Sequence, residues 1–220
     1  MKNSTHAGQA IYNKFILSIY DLWVLGISNR FFWRCPTRHI RRLFKLHTST
    51  NHLDVGVGTG FYPAKELSKT PRRYALLDLN QNSLDATSKR IAYFSPEKVN
   101  ADVLSPIVYQ GEAFDSISLN YLLHCLPGDM TSKATVFLNL TPLLTSNGIL
   151  FGSTILGRGV RFNYCASKLM SLYNQKGFFS NTNDDLQGLR NGLEQHFEEV
   201  DINVIGCVAL FTAKKLLTTK

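Results

Sequence analysis

Three aspartates stand at the ends of short apolar runs: Asp54 in "HLDVG", Asp78 in "LLDLN" and Asp102 in "NADVL". Between the first two lies "GVGTG", with Gly56, Gly58 and Gly60 at alternate positions. Glycine weakens regular structure, so a cluster of this kind implies that something must approach the backbone closely. A pyrophosphate on a helix N-terminus calls for G-x-G-x-x-G. Here Phe61 stands where that pattern has its third glycine, which counts against a dinucleotide. A carboxylate at Asp54 would also repel a pyrophosphate, whereas it suits an ammonium group. Asp78 can accept two hydrogen bonds from the hydroxyls of a ribose, and Asp102 can accept one from an adenine amino group while a nearby N–H meets the ring. An amino acid carried on a nucleoside without phosphates satisfies all three.

These side chains need elements that bring them to one edge. From residue 52 the chain alternates strand and helix patterns. The strands are "HLDVG", "YALLDLN", a weakly marked run ending around "VNADVL", "FDSISLNYLL" and "NGILFGSTIL". Between them lie a helical stretch at about 61–68, one carrying Leu84, Ile91 and Phe94, and one marked by Ala134, Phe137, Leu140 and Leu144. Such alternation predicts a parallel sheet with helices on both faces, binding its ligand at the carboxyl ends of the strands. After a helix with Leu186, Leu189 and Leu193, "FEEVDINVIG" and "CVALFTAKK" follow with almost no connection. Parallel neighbours need a crossover of about a dozen residues, so this pair reads as an antiparallel hairpin. Before residue 52, Ile11, Phe15, Ile19 and Trp23 recur every four residues in a helical stripe that stops near Gly26, and a second helix is predicted to start at Pro36.

The chain of 220 residues is basic, with a formal charge of +8, and +7 of it falls before residue 49. A basic arm fits nucleic acid, an anionic membrane surface, an acidic substrate or simply a solvated helix face. Cys35, Cys125, Cys165 and Cys207 are far apart, without metal-ligand spacing, which points to free thiols in a reducing cytoplasm. The apolar run "FILSIYDLWVLGI" would span about 20 Å as a helix, short of the roughly 30 Å hydrocarbon core. It contains Asp21 and reads as a buried helix rather than a membrane span.

With these motifs in order, the sequence resembles the class I S-adenosylmethionine-dependent methyltransferases. "LDVGVGTG", "LLDLN", "ADVL" and "FDSISLNYLLHCLP" look like their first four motifs, and the closing hairpin like their last two strands. The resemblance implies an α/β, Rossmann-like, mostly parallel seven-stranded sheet in order 3-2-1-4-5-7-6, with strand 7 antiparallel. It also implies a helical cap over residues 1–48, a cofactor-binding domain over 49–220 and an acceptor-site insertion at about 157–183. Carried over by position, Gly56, Gly58 and Gly60 would wrap the methionine and ribose of the cofactor, with Asp54 at its amino group. Asp78 and Leu79 would meet the ribose, Asp102 and Val103 the adenine, and Asn120 the methionine part. Tyr20, with Asp21 beside it, resembles a cofactor-contacting pair, and Tyr12 and Trp23 would help close the pocket.

Methyl transfer from a sulfonium is an in-line displacement, so alignment and exclusion of water do most of the work. A base is needed only where the acceptor must lose a proton. His124, at the mouth of the fourth strand, is the candidate, as a base or as a pocket wall. Nucleic-acid amino methylation would call for prolines after the fourth strand, where this chain has Asn120, Tyr121, Leu122 and Leu123. The resulting expectation is a cytoplasmic methyltransferase acting at O, N or C of a small organic acceptor. An RNA methyltransferase and a non-methylating cofactor-binding protein are the alternatives.

Overall fold

The apolar central runs pair into one sheet because they are too short and too buried to stand alone, and the polar strands Glu97–Asn100 and Phe197–Ile205 close its edges. The computed structural model describes residues 21–67 and 72–217. Its strands are β1 (Asn51–Val55), β2 (Arg73–Asp78), β3 (Glu97–Asn100), β4 (Phe114–Asn120), β5 (Leu144–Ile155), β6 (Phe197–Ile205) and β7 (Val208–Leu216). They form a seven-stranded sheet in the order β3-β2-β1-β4-β5-β7-β6. The first five strands are mutually parallel, and β7 runs antiparallel to both β5 and β6. This is the order and polarity that the sequence motifs implied.

The described helices are α1 (Asp21–Phe32), α2 (Arg38–His47), α3 (Phe61–Glu66), α4 (Gln81–Arg90), α5 (Met130–Lys133), α6 (Thr135–Leu140), α7 (Tyr164–Gln175) and α8 (Leu186–Glu194). Strand periodicity sorts the side chains between the two sheet faces. Leu53, Val55, Ile117 and Leu119 point to one face, where they pack with Phe137 and Leu140 of α6 and Leu189 and Leu193 of α8. Tyr74, Leu76 and Phe151 take the other face, under Phe44 of α2 and Leu84 of α4. Each such side chain, fully buried, contributes about 1.5–3 kcal/mol. A third cluster joins Leu25 of α1 to Ala166 and Met170 of α7 and to Cys207 and Val208 at the hairpin.

Several local expectations need correction. The first helix does not stop at Gly26 but runs on to Phe32 with wide, π-type winding; glycine weakens a helix without ending it where packing holds both sides. The second begins at Arg38, with Pro36 and Thr37 ahead of it. Leu144 belongs to the start of β5 and not to a helix face. Tyr12 and Tyr20 lie outside the described residues, as do the side chains of Asp21 and Trp23. Among the described residues no helix is long and apolar enough to cross a membrane.

The basic residues have a plain location. Arg38, Arg41, Arg42 and Lys45 lie on the outer side of α2, whose Ile40 and Phe44 face inward, and Arg41 pairs with Glu66. At the sheet edges β3 exposes Glu97 and Lys98, and β6 exposes Glu198, Glu199 and Asp201.

Candidate functional site

The turn after β1 is built from backbone that only glycine adopts easily. Gly56, Gly58 and Gly60 have φ of 71°, 53° and 69°. The loop is pinned by two bonds, Gly56 N–H to the Leu77 carbonyl at 2.9 Å and Gly60 N–H to the Val57 carbonyl at 3.0 Å. The three glycines serve different ends. A Cβ on Gly56 would strike Leu122, and one on Gly60 would strike Thr87 of α4, whereas one on Gly58 would meet nothing within 4 Å. Gly58 thus offers bare backbone to the space above it, and Gly60 lets helix and loop pack.

That space is a cleft at the carboxyl ends of β1, β2 and β4. It is lined by Asp54, Gly56, Val57 and Gly58 from the first turn, Asp78 and Leu79 from the second, Asp102 and Val103 after β3, and Asn120 at the end of β4. Gly60 is not part of this wall. The structure therefore gathers at one cleft the three aspartates that lie far apart in sequence.

Each polar group is held differently. Asp54 is buried, with Ser118 2.5 Å from its Oδ1 and the Tyr74 hydroxyl 3.5 Å from its Oδ2. Burial pushes its carboxyl up to about 7, against the pull of those hydrogen bonds, and nearby Asp78 adds to the rise. Asp78 accepts from the Asn80 N–H at 2.8 Å, and the nearby N–H groups of Val57, Gly58 and Leu79 favour its charged form, so it stands between the second turn and the glycine turn. Burial raises it to about 6 despite those donors. Asp102 accepts from the Leu104 N–H at 3.0 Å, in a turn of its own. Asn120 Oδ1 accepts from the Ser153 hydroxyl at 3.0 Å, while its Nδ2 is buried with no partner among the described residues. A buried donor without an acceptor is costly, by about 1–3 kcal/mol, and this one sits in the wall of the cleft. The orphaned amide, the open face of Gly58 and the three carboxylates together fit a ligand with an ammonium end and a sugar diol.

The rest of the wall was not singled out in the sequence. Leu25 comes from α1, Phe61 and Tyr62 from the first turn of α3, and Tyr121, Leu122, Cys125 and Leu126 from the segment after β4. Tyr121 has φ of 59°, unusual for a residue with a side chain. Its hydroxyl donates to Asn29 Oδ1 at 2.8 Å, and Asn29 Nδ2 donates to Thr37 Oγ1 at 2.9 Å. The end of β4 is thereby fastened to the N-terminal helices.

His124 does not line this cleft. It is buried one short turn beyond Tyr121, its ring edge-on to Phe179 at 4.5 Å between centroids and its Nδ1 accepting from the Ile155 N–H at 3.3 Å. Burial, helped by the charge of Lys133, lowers it to about 3. A proton-accepting role toward a substrate does not fit those surroundings; the ring braces the wall from behind.

Comparison with known proteins agrees with this geometry. A family model described as a methyltransferase domain matches residues 53–150, which run from β1 into β5. The chain is 40% identical over 213 residues to the physcion biosynthesis cluster O-methyltransferase of Aspergillus chevalieri, covering 96% of each chain. This chain belongs to the S-adenosylmethionine-dependent methyltransferases. The methyltransferase is also 33% identical over 212 residues to demethylluteothin O-methyltransferase of Streptomyces thioluteus, covering 94% of this chain and 90% of that one. Among solved structures it resembles the N-methyltransferase NodS from Bradyrhizobium japonicum WM9 in complex with S-adenosylhomocysteine, with a TM-score of 0.64, 16% identity and 96% of each chain covered. At that identity the likeness concerns the fold.

One prediction follows from the glycine turn of the methyltransferase. Gly58→Ala puts a side chain in the left-handed region, costing about 1–2 kcal/mol, at a position that lines the cleft. A lower melting temperature and about tenfold weaker binding of S-adenosylhomocysteine are expected, about 1.4 kcal/mol of affinity. Unchanged affinity in a titration would mean that the open face of Gly58 is not where the ligand lies.

Proposed function

We propose that the methyltransferase transfers a methyl group to a hydroxyl oxygen of a small, apolar and acidic acceptor, a phenol or an enol, and that it does so in the reducing cytoplasm its four free thiols suit. The observation that carries the cofactor assignment is the convergence of Asp54, Asp78 and Asp102 on one cleft beneath the bare backbone of Gly58. Ionised Asp54 pairs with the ammonium of the cofactor, Asp78 accepts from its ribose, and Asp102 with Val103 receives the adenine. The Asn120 amide, lacking an acceptor, turns to the amino-acid end. Bound S-adenosylmethionine supplies the activated methyl group on its sulfonium.

The choice of oxygen rests on two supports. Relatives covering nearly the whole chain carry the name O-methyltransferase. We assign the acceptor to the part of the cleft wall formed by Leu25, Phe61, Tyr62, Tyr121, Leu122, Cys125 and Leu126. Its titratable groups are phenols and a thiol, and burial pushes the Cys125 thiol up to about 12. None of these is a base suited to neutral pH. An acceptor that sheds its own proton readily needs no such base, whereas an alkyl alcohol would. Tyr121 and Leu122, held by the tight turn after β4, align the acceptor, and the apolar wall keeps water out.

The test is to incubate the protein with S-adenosylmethionine and matched sets of phenols, enols, alkyl alcohols and amines, and to read methylated product by mass spectrometry. Product from phenols or enols alone is expected. Turnover confined to amines or alkyl alcohols would overturn the assignment.

A further inference from the structure

Behind Asp54, on the side away from the cleft, lies a continuous row of buried polar side chains that the transfer reaction does not use. His52 and Asp54 are two residues apart on β1, and Ser116 and Ser118 are two apart on β4, so the period of the strand puts all four on one face. The register pairs His52 with Ser116 and Asp54 with Ser118. The contacts run in sequence. Ser118 Oγ is 2.5 Å from Asp54 Oδ1, and His52 Nε2 is 3.1 Å from Ser118 Oγ. His52 Nδ1 is 2.7 Å from Ser116 Oγ, and Ser116 Oγ is 2.9 Å from Ser49 Oγ. Ser49 Oγ lies 2.8 Å from the Asn51 carbonyl oxygen and is partly exposed at the opposite end of β1.

Counting protons along this row gives two consistent arrangements. In the first, Ser49 donates to the Asn51 carbonyl, which only accepts. Ser116 must then donate to Ser49, and His52 Nδ1–H to Ser116. A neutral His52 now offers a bare Nε2, which takes the Ser118 proton. That leaves Asp54 to donate to Ser118, so it is a carboxylic acid. In the second, Asp54 is ionised, Ser49 turns away from the Asn51 carbonyl to Ser116, and the whole row reverses. Ser118 donates to Asp54, His52 Nε2–H to Ser118, Ser116 to His52 Nδ1, and Ser49 to Ser116. The tautomer of His52 thus differs between the two states of Asp54.

We propose that His52 is a positioning residue in a buried proton relay, which lets Asp54 rest as a neutral acid without ligand and become a carboxylate when the ammonium group of the cofactor arrives beside it. The proposal rests on the reading that Asp54 faces that ammonium. The step balances. The Asp54 proton passes to Ser118, the Ser118 proton to Nε2, the Nδ1 proton to Ser116 and the Ser116 proton to Ser49, and the Ser49 proton leaves to water. No charge stays behind on the ring.

The surroundings favour a neutral ring. His52 is enclosed by Phe44 of α2, Tyr74 of β2 and Phe151 of β5, with centroids 5.7, 5.2 and 5.8 Å away. The titratable groups facing the pair are the Tyr74 hydroxyl from β2 and Asp78 at the end of that strand, with His47 of α2 tilted against Phe151. Neither Tyr74 nor Asp78 brings a positive charge to Asp54. Burial lowers His52 to about 3 and raises Asp54 to about 7, the directions that a neutral pair requires.

The test is the ring-nitrogen NMR of His52 in 15N-histidine-labelled protein, free at pH 5.5 and pH 8.5 and then saturated with S-adenosylhomocysteine, beside a calorimetric titration of the same ligand. Nδ1–H is expected in the free protein at the lower pH, and Nε2–H at the higher pH and in the complex. In Ser118→Ala, which removes the donor to the Asp54 carboxylate, the pH at which binding becomes half-maximal should rise by about one unit, a tenfold change in proton affinity. A tautomer that stays the same in all three samples, or an imidazolium in any of them, overturns the relay. A pH-driven switch without any calorimetric binding supports the relay and instead removes the cofactor reading on which its purpose rests.

Discussion

Asp78→Ala should weaken S-adenosylhomocysteine binding by about 100- to 1000-fold, since each lost hydrogen bond to a charged group is worth about 1.5–3 kcal/mol. Two contributions add. The carboxylate is the acceptor proposed for the ribose, and it also accepts from the Asn80 N–H and lies near the N–H groups of Val57, Gly58 and Leu79. Without it the second turn and the glycine turn lose their common anchor, so the cleft loses shape as well as charge. Asp78→Asn separates the two: it keeps the size of the side chain but replaces one acceptor with a donor, and most of the affinity should still be lost. Binding should also fall as pH drops, first through about 7 as Asp54 takes up its proton and further through about 6, where burial places the Asp78 carboxyl. The linkage runs the other way for the empty protein. A folded pKa above the ordinary carboxylate value means the stabilising neutral form is present at low pH and is lost as pH rises through about 6. Calorimetry across pH 5 to 8 reads both effects; an affinity indifferent to Asp78→Ala would withdraw the aspartate from the site.

The second large effect concerns Lys133 and Asp184, both fully buried and 2.5 Å apart. Lys133 Nζ also donates to the Ser180 carbonyl at 2.7 Å. The Asp184 carbonyl accepts from the N–H groups of Gly157 and Arg158, at 2.8 and 3.0 Å. One ion pair thus closes both ends of the long segment between β5 and α8 onto α5. Lys133→Ala leaves an unpaired carboxylate inside the protein and should cost about 3–5 kcal/mol. For a chain of this size that is a fall in melting temperature of about 6–20 °C. The double variant Lys133→Met with Asp184→Leu should regain much of the loss, because two apolar side chains avoid the desolvation that the pair must offset. A loss under about 1 kcal/mol for the single variant, the size of a surface pair, would show that water reaches the site.

What could be read in advance depended on how local the cause was. The apolar runs, the glycine spacing and the near-absent connection between β6 and β7 act over a few residues, and they showed the alternating strands, the closing hairpin and the three carboxylates; the strand order came only with the family resemblance. Gly60 looked like a ligand residue, but its need for a missing Cβ comes from Thr87, far along the chain. Its place at the mouth of β4 makes His124 a candidate base or pocket wall. Its direction depends on the left-handed turn at Tyr121, held by Asn29 of α1, and nothing in the local pattern announces that turn. Leu25, Phe61 and Tyr62 reach the cleft through packing between distant elements. The row behind Asp54 was hidden for a similar reason. Alternate residues on each strand are visible in the sequence, but it takes the β1–β4 register to set His52 beside Ser116.

The charged outer strands carry a consequence for the protein in concentrated solution. An open sheet has two unsatisfied edges, each a template on which another chain can add a strand. At one edge β3 is only four residues long and exposes Glu97 and Lys98. At the other, β6 turns Glu198, Glu199 and Asp201 outward, with Glu199 paired to Lys215. A strand docking on either side would have to strip water from these charges, so the same residues that contribute little to the fold guard it against fibrous self-association.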